Sequence, residues 1–60
     1  MTKLEELRRK AGLTQAELAH KSGVSRPVIA KIEDGNYGSV VGRAFIKLAE
    51  ALDVSVGELF

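Results

Sequence analysis

Cysteine is absent from this chain of sixty residues, and histidine occurs once. The first absence excludes a disulfide framework and every zinc site built on thiolates. The second leaves a lone imidazole with no metal-binding companion, so no metal and no other cofactor is expected. No apolar run exceeds four residues, far below the roughly 20 that a membrane-spanning helix needs. The N-terminal MTKLEELRRK is charged and lacks the apolar centre of a signal peptide. The expected location is therefore cytoplasmic, without a membrane partner. Catalytic patterns are missing too: no nucleophile is paired with a base and no carboxylates are paired for acid–base work. A domain this small buries only about 60% of its unfolded surface, which leaves no wall material for a deep substrate cavity. The expectation is one domain spanning residues 1–60, with no catalytic residue and no small-molecule substrate.

What is present is an uneven distribution of charge. Residues 1–32 carry seven Lys and Arg against three Glu, a net +4, whereas residues 33–60 carry two against five Asp and Glu, a net −3. The overall +1 conceals this split. One basic and one acidic face can result, although scattered surface charge has the same composition.

Helix punctuation is frequent and strand alternation never lasts. Thr2-Lys-Leu-Glu5 reads as a capping box, in which the hydroxyl accepts a backbone N–H and the carboxylate reaches back. Leu4, Leu7 and Ala11 follow at helical spacing, and Gly12 can close the helix in the left-handed conformation. Thr14-Gln-Ala-Glu17 is a second box, opening a helix that ends at Gly23. Ser25 can cap a third helix with Ile29 and Ile32 on one face and Gly35 as its stop. Val41, Ala44, Phe45, Leu48 and Leu52 form one stripe over 41–52, and Ser55-Val-Gly-Glu58 is a third box before a short last turn. Leu4, Leu7, Leu18, Phe45, Leu48 and Leu52 are the expected core. The fold class is all-α, with five short helices, and NYGSV (36–40) is the surface loop.

The second and third helices are joined by SGVS alone, too short for anything but a sharp corner. Ala19 is small where the two must pack, and Val24 and Ile29 can lock the corner from within. This is a helix-turn-helix. Across LEELRRKAGLTQAELAHKSGVSRPVIAKIEDGN and the closing LAEALDVSVGELF, the chain resembles the lambda-repressor/Cro-like family of helix-turn-helix proteins, also called the XRE family. It departs from the family pattern at YGSVVGR (37–43), where relatives often begin a helix with Pro-Ser.

The resemblance implies a DNA-binding regulator, commonly a repressor, that binds a palindromic double-stranded operator as a homodimer in the nucleoid. In that reading Gln15, at the start of the second helix, reaches a phosphate with help from the positive helix end. Arg8 and Glu33 match a structural salt bridge between the first and third helices. The third helix lies in the major groove. With Ile29 and Ile32 inward, a turn of about 100° per residue points Pro27 and Lys31 outward, with Arg26 and Val28 beside them. Arg26 suits a guanine edge, and Lys31 a guanine or a phosphate. Pro27 offers apolar surface for a thymine methyl, and Val28 is open to contact or to half-buried packing. Behind the cap Ser25, which opens the DNA-facing set, Pro27 falls in the first turn, where its missing N–H costs no helical bond.

Asn36, Tyr37 and Arg43 are candidates for the phosphate backbone, the alternative being a polar turn with a packed tyrosine. His20 is expected to face solvent, and Arg9 and Lys10 to answer the dipole at the end of the first helix. Val56, Leu59 and Phe60 are the expected dimer surface, although Phe60 can equally close its own core. The chain stops where the family's domain stops, as a minimal regulator or an excised N-terminal domain would. The second functional class is a protein-interaction module on the same fold, such as an antitoxin or a bridging factor. Salt separates the two, because phosphate contacts release counterions and weaken steeply as salt rises.

Overall fold

A computed structural model describes residues 2–60, and among them there are helices and turns but no strand. Four α-helices follow in order: α1 Leu4–Lys10, α2 Gln15–Ser22, α3 Arg26–Glu33 and α4 Gly42–Leu52. The expected fifth helix is a four-residue 3-10 turn, Val56–Leu59.

Local signals explain α2 and α3. The Thr14 hydroxyl accepts the Glu17 N–H at 3.0 Å while the Glu17 carboxylate accepts the Thr14 N–H at 2.8 Å, so the capping box is complete. Gly23 ends α2 at φ 78°, a left-handed value that a Cβ would disfavour. The corner then turns on Ser22, whose hydroxyl accepts the Val24 N–H at 3.1 Å. Pro27 is the second residue of α3, within the turn whose N–H groups have no helical acceptor. Ser25 is extended and sits at the cap position, but its hydroxyl makes no capping bond.

Two expected boxes do not form, and each has a reason. Thr2 donates its hydroxyl across the molecule to the Ile32 carbonyl at 2.8 Å, leaving Lys3 as the α1 cap. That carbonyl lies in the last turn of α3, where it accepts the Gly35 N–H at 3.0 Å and keeps a second lone pair for Thr2, so a tertiary bond displaces the local cap. At the other end, the Glu58 N–H that Ser55 was to accept through its side chain is taken by the Ser55 carbonyl at 3.1 Å. The tight 3-10 spacing satisfies the N–H by itself. A backbone bond from the Lys3 N–H to the Leu59 carbonyl, 2.7 Å, joins the two ends of the chain.

The core is Leu4, Leu18, Val24, Ile29, Ile32, Ala44, Phe45, Leu48, Ala49 and Leu59. Leu7 and Leu52 pack against it half-buried. Val41 does not join the α4 stripe: it is the cap residue, extended at φ −71° and ψ 145°, and 70% exposed. Helical phase applies only within the helix, and Val41 lies one residue outside it. After Leu52, Asp53 takes the left-handed conformation at φ 56°, a stop that a short polar side chain tolerates.

Candidate nucleic-acid interface

The face of α3 opposite the core is built by elimination. Ile29 and Ile32 are fully buried, so Arg26, Pro27 and Lys31 are exposed and Val28 is half-buried at the edge. The first turn of α3 holds no acidic residue. A cation there opposes the helix dipole, which makes Arg26 unfavourable for the helix and leaves two positive features side by side. With the Ser25 hydroxyl making no cap bond, the N-terminal end of α3 presents an arginine, an unengaged hydroxyl and the positive helix end together.

Behind this face lies a buried polar network. Arg8 Nε donates to Glu33 Oε2 at 2.7 Å, and Nη2 donates to Oε1 at 3.2 Å. Nη1 donates to the Leu13 carbonyl at 2.8 Å. The bonds to Glu33 hold the Arg8 guanidinium above its usual pKa, against the opposite pull of burial. Gln15 adds a third donor to Glu33, its Nε2 lying 2.9 Å from Oε1. One amide hydrogen of Gln15 is therefore engaged inside the protein, and the other is left to it. Among the described residues, no buried side-chain nitrogen or oxygen lacks a partner. The network joins α1, the α1–α2 turn, the start of α2 and the end of α3, so it sets how α2 and α3 stand together.

The remaining sequence candidates fall in two places. Asn36 and Arg43 are exposed, in the loop after α3 and in the first turn of α4. Tyr37 is half-buried, with its ring between Phe45 at 5.7 Å and Phe60 at 5.5 Å. Phe45 and Phe60 complete the triangle at 5.2 Å. These are all three aromatic residues of the chain, and they tie the loop after α3 to the C-terminal residue. Phe60 thus both packs and remains 47% exposed, with Val56 exposed in the same terminal segment. Leu59 corrects the expected dimer surface: it is fully buried, pointing into the monomer core as the inward residue of the 3-10 turn. His20 is exposed. Lys47, not singled out from the sequence, stands one helical turn after Arg43 and lines the same depression as Arg43 and Lys31. The i, i+4 spacing of Arg43 and Lys47 was the available signal.

A short, tightly turned helix pair on a small helical core, with a polar network bracing the corner, defines a helix-turn-helix protein. The family model described as Helix-turn-helix matches residues 4–59, and the chain belongs to that family in its XRE-type form. It is a binding protein, not an enzyme. Two uncharacterised HTH-type transcriptional regulators of Archaeoglobus fulgidus are similar to it, one 39% identical over 98% of the chain and 83% of the relative. The other is 34% identical over 98% and 82%. An uncharacterised HTH-type transcriptional regulator of Methanocaldococcus jannaschii is 41% identical over 97% of the chain and 86% of its own length. No solved structure matches the chain significantly. Among the described residues, no helix is long and apolar enough to cross a membrane.

Proposed function

We propose that the protein is a sequence-specific, DNA-binding transcriptional regulator that acts as a repressor in the cytoplasm, on nucleoid DNA. In this reading α3 enters the major groove of a palindromic operator, and a homodimer places two copies on half-sites about 34–36 Å apart. The observation that carries it is the outward face of α3, where the side chains of Ser25 and Arg26 at the helix start and of Lys31 in its last turn are exposed and make no hydrogen bond or ion pair among the described residues. Arg26 reads a guanine edge, and Lys31 takes a guanine or a phosphate. Pro27 and Val28 supply apolar contact. Gln15, Asn36, Tyr37 and Arg43 hold the backbone on either side, Gln15 through its second amide hydrogen and the first-turn N–H groups of α2. The Arg8–Glu33 pair keeps the angle between the helices. Val56 and Phe60 form the dimer surface, with Leu59 supporting it from beneath. Occupying the operator is enough to repress by occlusion.

Selection of bound DNA from a random pool tests the reading, with the mass of the protein and of its complex determined in solution. The expected outcome is a two-fold symmetric sequence bound by two chains, with affinity falling steeply as salt rises. A pool from which no sequence binds better than bulk DNA refutes it. Repeating the selection with Pro27→Gln should change the preferred base opposite the helix start. An unchanged sequence takes Pro27 out of the groove.

A further inference from the structure

A shallow groove runs between α3 and the first turns of α4. Its floor and walls are Val24, Val28, Val40 and Ala44, with Val41 as one lip. Its volume is about 290 Å³, room for about ten water-sized groups at about 30 Å³ each and close to the lower end for small-molecule pockets. Lys31, Arg43 and Lys47 stand around it, and no carboxylate lines it. None of these three cations makes an ion pair among the described residues. The lip is a local anomaly. Val41 occupies the α4 cap, where a hydroxyl or carboxylate would stabilise the helix, and it is instead an apolar side chain 70% exposed to water.

We propose that this groove binds a small anionic amphiphile, a carboxylate on an apolar body of about ten heavy atoms, and that the bound ligand opposes DNA binding. The valine floor takes the apolar body and the cations take the head group. The volume is too small for a partner helix, which is about 10 Å across with its side chains. A sugar–phosphate strand would satisfy the cations but leave the valine floor without an apolar partner. The antagonism rests on the reading of α3 as the DNA-facing helix, because Val28, Lys31 and Arg43 belong to both surfaces. Ligand binding itself does not.

The test titrates decanoate, below its micelle concentration, into isotope-labelled protein. Methyl resonances of Val28, Val40 and Val41 should shift and saturate while those of Val56 stay in place. Decanol, the same body without the charge, should bind about tenfold more weakly, the size of one charge-assisted contact. Val41→Asp removes the apolar lip, sets a negative charge beside the cations and supplies a better helix cap, so a well-folded variant should lose binding. The complex with selected operator DNA should dissociate as decanoate saturates the groove. Shifts that never saturate, that are equal for decanol, or that centre on Phe60 overturn the ligand class. A saturated groove with an intact DNA complex overturns the antagonism. A domain that selects no DNA removes the antagonism along with the DNA reading, while the methyl titration still decides the site.

Discussion

Replacing Glu33 with alanine should bring this domain close to unfolding. The Arg8 and Glu33 side chains are only 10% and 5% exposed, and their shortest bond is 2.7 Å. Glu33 accepts from Arg8 Nε and Nη2 and from Gln15 Nε2. Glu33→Ala leaves the guanidinium with one protein acceptor, the Leu13 carbonyl, and with its charge uncompensated in a dry setting. Breaking a buried pair in this way costs roughly 3–5 kcal/mol. A chain of this length has a total stability of roughly 3–9 kcal/mol, at about 0.05–0.15 kcal/mol per residue. A loss of about 3 kcal/mol in so small a domain lowers Tm by roughly 12–24 °C. Urea unfolding followed by helix circular dichroism measures it. The double variant Arg8→Met with Glu33→Leu should recover much of the loss, because two apolar groups of similar size need no counter-charge. If Glu33→Ala costs less than about 1 kcal/mol, the pair behaves as a solvated surface bridge and the argument from burial is wrong.

Gly23→Ala should cost about 1–2 kcal/mol, from left-handed strain alone, since no heavy atom lies within 4 Å of the new Cβ. Urea unfolding checks it, and a neutral result would mean the corner relaxes out of the left-handed region. Thr14→Ala should cost about 1 kcal/mol by losing the cap to Glu17, measured in the same way. Arg26→Ala should lower affinity for the selected operator by about 1–3 kcal/mol and relax the choice of one base, whereas Lys31→Gln, if Lys31 holds a phosphate, should lower the slope of log K against log salt by about 0.9. Binding isotherms at several salt concentrations separate these two outcomes.

Elements whose ends are set by neighbours in the chain were legible. The box from Thr14 to Glu17, the glycine stop at 23 and Pro27 in a first turn all depend on groups within four residues of one another. The same rule misplaced Thr2, because its hydroxyl meets the Ile32 carbonyl thirty residues away. It misplaced Val41, which periodicity assigned to a stripe and geometry left one residue outside the helix. Leu59 looked like a surface residue beside an end-of-chain phenylalanine, yet the inward side of a 3-10 turn differs from that of an α-turn. The site divides in the same way. Exposure of Arg26, Pro27 and Lys31 follows from helical phase once Ile29 and Ile32 are inward, but Lys47 beside Lys31 follows only from how α4 packs.

The sequence by itself determined the helix-turn-helix and the face that α3 turns outward, because hydrogen bonds and side-chain phase within one helical turn are properties of near neighbours. Only the tertiary structure decided that Gln15 gives one amide hydrogen to Glu33 and that Tyr37 is held between Phe45 and Phe60. It also decided that three cations from two separate helices, Lys31 of α3 with Arg43 and Lys47 of α4, surround one valine-lined groove. Each of these depends on where distant segments come to rest. That position is set by close packing of the whole core, which no short window of sequence contains.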